Sequence, residues 1–134
     1  MPTAQLIPVF LRWGDEDRYG HVNNVVFFRL LEEARARWTT GANADDNLLT
    51  HGLLVHEATL TYHAPLHYRE DPVVVELTVT KIGGASIDID CRVLDSDDPH
   101  STCFASGRIR LVAYDFDTEA PRRLSPADRQ WLEA

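Results

Sequence analysis

Only one stretch of this chain carries a long helical period, and everything after it alternates. From Asn24 the residues Phe27, Leu31, Ala34 and Trp38 recur at spacings of four, three and four, the stripe of an amphipathic helix. Asn23 or Asn24 is placed to cap its start, Gly41 lies just past its end, and Arg29, Glu33 and Arg37 fall on the exposed side. Thr40 to His51 has no period and reads as a connection. Beyond it, Leu53 to Tyr62, Val73 to Ile82, Ala85 to Leu94 and Thr102 to Tyr114 read as strands, separated by Pro65, by Gly83-Gly84 and by Asp95-Ser96-Asp97-Asp98-Pro99. Gln5 to Trp13 adds a first strand, closed by the turn chemistry of Gly14 to Gly20.

The alternation says how these elements pack. Ile87, Ile89, Cys91 and Val93 share one face of their strand while Ser86, Asp88, Asp90 and Arg92 share the other, so one side is buried. In the last long strand Cys103, Ala105 and Gly107 put small residues in line with Ile109 and Leu111, room for a helix to approach closely. The expected class is α+β, one long helix wrapped by a single curved antiparallel sheet of five or six strands. Ser125-Pro126-Ala127-Asp128 carries the cap, proline and acidic position of a short terminal helix. No repeat or linker divides the 134 residues, so residues 1–134 are expected to form one domain. A chain of this length buries roughly 68% of its unfolded surface and needs no disulfide scaffold.

Charge and cysteine usage narrow the function. A net charge of -8 argues against nucleic acid and against an anionic membrane surface. No apolar run approaches the roughly 18 residues of a membrane span, and Met1-Pro2-Thr3-Ala4 lacks the basic region of a signal peptide. The expected location is cytoplasmic, where Cys91 and Cys103 remain free thiols. His51, His56, His63 and His67 lie on alternating strands interrupted by Pro65, a poor arrangement for converging on a metal, and no metal or organic cofactor is expected. Neither the His-Glu-x-x-His nor the Gly-x-Ser-x-Gly motif is present.

The chemistry concentrates in Arg12-Trp13-Gly14-Asp15-Glu16-Asp17-Arg18-Tyr19-Gly20-His21-Val22-Asn23-Asn24, between the first strand and the helix. A loop entering a helix N-terminus offers unpaired N–H groups and a positive dipole end, which stabilise an oxyanion. A nearby carboxylate supplies a nucleophile or general base. Together these suit acyl transfer. Plainer roles stand beside these: Asp17 and Asp15 as turn residues, His21 orienting the loop, Asn23 and Asn24 as caps. Glu32 and Glu33 fit a solvated helical face, or an approach to a partner subunit or acyl pocket.

These residues resemble the hot-dog-fold acyl-CoA thioesterases of the 4-hydroxybenzoyl-CoA thioesterase type. The pattern R-W-G-D-x-D-x-x-G-H-V-N-N runs from Arg12 to Asn24, and F-F-R-x-L-E-E-A-R from Phe27 to Arg35. His63-Ala64-Pro65-Leu66, Ile82-Gly83 to Ser86, and Pro121 to Pro126 extend the likeness over nearly the whole chain. The resemblance implies a helix held in a curved sheet, two subunits pairing their sheets as a homodimer or within a homotetramer, and active sites at the subunit interface. It implies hydrolysis of an acyl-CoA to free acid and CoA. Asp17 matches the family's acid, as nucleophile or general base, and the backbone N–H at Asn24 matches the group that polarises the thioester carbonyl. His21 supports these as a further catalytic candidate, and Gly20 and Asn23 help hold substrate. Arg69, Lys81, Arg92, Arg122 and Arg123 are the candidate cations for CoA phosphates, with Arg69 and Arg92 placed first. An acyl-carrier-protein thioesterase shares the same scissile bond. A non-catalytic acyl-CoA sensor would need no acid at Asp17, and a hot-dog hydratase would need a segment this chain lacks.

Overall fold

The computed structural model describes residues 3–40 and 52–134. The expected position of Gly41 beyond the helix and most of the expected connection fall outside them. In chain order the elements are β1 (Gln5–Val9), a 3-10 turn (Trp13–Asp15), α1 (Asn24–Thr40), β2 (Leu53–Tyr62), β3 (Val73–Ile82), β4 (Ser86–Leu94), β5 (Cys103–Asp115), β6 (Ala120–Pro121) and α2 (Pro126–Leu132). All strands pair antiparallel in the order β1-β3-β4-β5-β2, with the short β6 added on β5. β2 therefore has β5 on one side and, among the described residues, an unpaired edge on the other.

The helix buries the stripe the spacing predicts. Phe27, Leu31 and Ala34 are sealed, joined by Leu30, and the stripe ends on Trp38, which stacks against Trp131 of α2 with ring centroids 4.8 Å apart. α1 lies against β1 and β3, and the buried faces of β3, β4 and β5 complete one core. Burial of each such aliphatic side chain stabilises the fold by about 1.5–3 kcal/mol. α2 begins where its cap predicts: the Asp128 N–H donates to Ser125 Oγ at 3.0 Å, and the Ser125 N–H donates to Asp128 Oδ2 at 3.1 Å.

Four expectations need correction. β1 ends at Val9 rather than Trp13, because the Asp15 carboxylate accepts the Arg12 N–H at 2.6 Å and the Asp15 N–H returns to the Arg12 carbonyl at 3.0 Å. That tight turn pulls the chain off the sheet and leaves Trp13 exposed. Arg29 is not a free surface residue; it pairs with the buried Asp15 at 2.5 Å, whereas Arg37 makes the expected surface pair with Glu33 at 2.8 Å. The space at Gly107 serves the neighbouring strand rather than the helix, since a Cβ there would stand 1.8 Å from the Thr59 carbonyl oxygen of β2. Finally, the outer face of β4 is not wholly solvated. Asp88 is buried, clasped by Arg110 through two hydrogen bonds of 2.7 and 3.1 Å.

The hydrogen bonds from Arg110 hold the Asp88 carboxyl below the usual carboxylate range. A depressed acid contributes stability that is complete above its unfolded pKa of about 3.9 and is lost as pH falls through its folded value. Asp88→Asn is therefore expected to lower Tm at pH 7, and the gap from wild type to close below about pH 4; thermal melts across that range check it.

Burial acts oppositely on the thiols. Desolvation, reinforced by Asp90, pushes Cys91 up to about 11, and burial raises Cys103 as well. Both cysteines are free. Cys91 is expected to resist a thiol-specific reagent at pH 8 in the folded protein and to react on unfolding; a timed thiol titration reads this directly.

Candidate functional site

The loop between the 3-10 turn and α1 is folded on its own backbone. The Asp17 N–H donates to the His21 carbonyl and the Gly20 N–H to the Asp17 carbonyl, both at 3.0 Å. This closure needs Gly20, whose φ of 80° lies in the left-handed region. A bridge between Glu16 and Val22 closes the loop's base. The segment after β2 then locks it: the Val22 N–H reaches the Leu66 carbonyl at 2.7 Å, and the Tyr68 N–H reaches Glu16 Oε1 at 2.8 Å. His67 Nδ1 donates to the Gly20 carbonyl at 2.9 Å, and its ring stands edge-on to His21 with centroids 5.1 Å apart.

Asp17 is half-buried and held at both oxygens. Oδ1 accepts the Tyr19 N–H at 2.8 Å, and Oδ2 accepts Asn23 Nδ2 at 3.0 Å. Asn23 is the joint between the carboxylate and the helix, because its own Oδ1 accepts the Val25 N–H at 2.9 Å as the cap of α1. No acidic side chain lies in the first turn of α1 to neutralise its positive end. Among the described residues the Asn24 N–H has no acceptor, and the Asn24 carbonyl is held from the far side by the Tyr62 hydroxyl at 2.9 Å. Burial raises the Tyr62 phenol above its ordinary value, which keeps it a donor.

A cleft of about 410 Å³ opens at this helix end. His21, Asn24 and Phe27 form one wall and Tyr62, His63 and Leu66 the other. Asp17 is tied to this helix end through Asn23, the residue before Asn24. The structure thus brings Asp17, Gly20, His21, Asn23 and Asn24 into one loop and helix end. It does not bring Arg69 and Arg92 there as free cations. Arg69 is bound to the Asp95 carboxylate and to the carbonyls of Asp95, Pro72 and Asp71. Arg92 grips Glu76 through bonds of 2.7 and 3.0 Å on the outer sheet face, which raises its pKa further. Arg122 pairs with the buried Asp128 at 3.0 Å. Arg123 is exposed and has no carboxylate partner among the described residues.

Sequence reasoning missed Tyr62, His63, His67 and Glu16 as parts of the site. Tyr62 meets Asn24 across 38 residues, and no local spacing announces such a contact. His63, which lines the cleft, also bonds Ser106 Oγ through Nε2 at 2.7 Å. The sequence offers it only as a metal ligand and as part of the His63-Ala64-Pro65-Leu66 likeness, and neither gives it a place beside the helix start.

Known proteins share this architecture. The PA2801 protein of Pseudomonas aeruginosa, a candidate thioesterase, superposes with a TM-score of 0.76 at 31% identity, over 95% of each chain. A candidate acyl-CoA thioesterase from Xanthomonas campestris gives 0.70 at 32% identity, over 87% of this chain and 95% of that one. A Thermus thermophilus thioesterase, solved with coenzyme A and zinc, gives 0.79 at 26% identity, over 95% and 90%. No curated protein matches the sequence significantly. These folds are hot-dog folds, and the described residues contain no helix long and apolar enough to cross a membrane. With residues 11–132 matching the family described as the thioesterase-like superfamily, this chain belongs to that superfamily and is a thioester hydrolase.

Proposed function

We propose that the protein is an acyl-CoA thioesterase of the 4-hydroxybenzoyl-CoA type, acting as a single domain in the cytoplasm. The observation that carries this reading is the Asp17 carboxylate bonded to Asn23, the cap of α1, whose neighbour Asn24 lines the cleft with its N–H free of any acceptor among the described residues. A thioester carbonyl seated at the Asn24 N–H meets the positive end of α1, which stabilises the charge that develops on oxygen. Asp17 takes a proton from the water that attacks the carbonyl carbon, or attacks it directly to give an acyl–aspartyl anhydride that water then hydrolyses. In either course the C–S bond breaks, the CoA thiolate leaves and takes up a proton that water supplies, and the acyl group departs as the free acid. Asn23 sets the carboxylate's direction, Gly20 permits the loop's close turn, and His21 borders the reacting carbonyl.

A second copy closes the cleft in a dimer formed along the edge of β2 that is unpaired among the described residues. The acyl group lies between α1 and the strands of both copies. For the CoA phosphates Arg69 and Arg92 must compete with Asp95 and Glu76, so the exposed Arg123 is the more available cation.

Steady-state thiol release from short, long and aromatic acyl-CoAs tests the reading. Turnover on at least one member of the panel is expected, and the best substrate defines the pocket. Tight binding across the panel with no thiol release would replace the enzyme by an acyl-CoA sensor.

A further inference from the structure

Three consecutive residues beyond β2 grip the loop that carries Asp17 and His21. The Leu66 carbonyl accepts the Val22 N–H at 2.7 Å, the His67 ring reaches the Gly20 carbonyl at 2.9 Å, and the Tyr68 N–H reaches Glu16 Oε1 at 2.8 Å. The first and last of these use the backbone of residues 66 and 68 and meet the base of the loop, where Glu16 and Val22 are bridged. The middle one is made by a side chain, and of the three it alone meets the tip.

The tip has more need of a tie than the base. Gly20 lacks a Cβ, so its peptide to His21 can swing through conformations that other residues resist. That peptide sits between the two bonds that hold the Asp17 backbone, the Gly20 N–H to the Asp17 carbonyl and the Asp17 N–H to the His21 carbonyl. Its rotation strains both. His67 is built to stop it: Nδ1 faces the Gly20 carbonyl and, 3.8 Å away, the Glu16 carboxylate, two acceptors that keep the hydrogen on that nitrogen. Yet the His67 side chain is 65% exposed and does not line the cleft. Its place is behind the site rather than in it.

We infer that His67 is a positioning residue for hydrolysis: its Nδ1–H fixes the Gly20–His21 peptide and, through it, the backbone of Asp17 and His21. This rests on the thioesterase reading proposed above and adds to it a residue that touches no reacting atom. Without the bond the loop stays fastened at its base and is free at its tip. The Asp17 carboxylate then spends less time in the direction that Asn23 sets, and the cost falls on the chemical step rather than on binding.

Three substitutions separate the hydrogen bond from the ring, which also stands edge-on to His21. Asparagine carries Nδ2 where histidine carries Nδ1, next to Cγ, so His67→Asn keeps the donor and loses the ring. His67→Phe keeps a ring against His21 and loses the donor, and His67→Ala loses both. In the alanine and phenylalanine variants kcat for thiol release is expected to fall about 10-fold at nearly unchanged KM, with the asparagine variant within about 3-fold of wild type. Thermal melts of all four proteins should agree within about 2 °C, because the ring is exposed. Hydrogen exchange of the Asp17 and Gly20 N–H groups, followed by NMR, should quicken at least about 5-fold in the alanine and phenylalanine variants and not in the asparagine one. Wild-type kcat in folded His67→Ala overturns the inference. So does an active phenylalanine variant beside an impaired asparagine one, which would assign the effect to ring packing, and so does a rise in KM with kcat unchanged. A wild type that releases no thiol from any acyl-CoA defeats the thioesterase reading instead. Exchange left unaltered in His67→Ala overturns the inference whether or not the protein turns substrate over.

Discussion

Replacing Asp17 by asparagine is expected to lower kcat for thioester hydrolysis by about 100- to 10,000-fold, the usual contribution of a positioned acid or base. The fold should survive, because the new side chain keeps one oxygen for the Tyr19 N–H. It loses the second contact. Its amide nitrogen faces Asn23 Nδ2, donor against donor, and Asn23 cannot turn over without releasing the Val25 N–H that it caps. Asn23→Ser separates geometry from chemistry. Serine caps a helix about as well as asparagine but is too short to reach Asp17. Its expected effect is a fall in kcat of roughly 10-fold at nearly unchanged stability, the loss due to a misdirected carboxylate. Full turnover in folded Asp17→Asn would remove the carboxylate from the mechanism.

Gly107→Ala should produce the largest loss of stability from the smallest change in the sequence. The added methyl meets the Thr59 carbonyl oxygen at 1.8 Å and the Thr59 carbonyl carbon at 2.8 Å, both backbone, so no side-chain rotation relieves it. Overpacking of this kind costs about 3 kcal/mol, a fall in Tm on the order of 10 °C. β2 must move away from β5, and Tyr62 at its end moves with it, releasing the Asn24 carbonyl. Turnover should therefore fall alongside stability. Gly14→Ala is the control: nothing lies within 4 Å of its added methyl, and a change within about 0.5 kcal/mol is expected. Thermal melts and thiol release on the two variants decide the matter.

The fold was legible wherever one physical rule acted alone. β2 and β3 begin and end where the alternation says, and Ser125 caps α2 as its spacing demands. Legibility failed where a side chain bonded across the chain. Asp15 cuts β1 short by bonding Arg12 and draws Arg29 from the surface, and neither follows from propensity. Asp88 is buried on a polar face because Arg110 sits across the strand pair, a register that alternation leaves unspecified. At the site, Asp17, Asn23 and Asn24 were visible as a loop entering a helix. Tyr62 and His63 were not, because their approach depends on how β2 returns along α1. The availability of Arg69 and Arg92 was equally invisible, since exposure of an arginine in sequence says nothing of the carboxylate it finds.

The edge of β2 that is unpaired among the described residues bears on how a lone chain survives. Ten residues of extended backbone, with Leu54 and Val55 half uncovered, form a template that any unfolded strand can join. Few charges guard it: Glu57 is the only acidic or basic residue apart from His56 between Leu53 and Tyr62. Under the pairing proposed above, dilution is as much a hazard to the protein as heat, because a solitary subunit exposes the surface from which aggregates grow. Newly made chains would then depend on chaperones until their concentration allowed them to find one another.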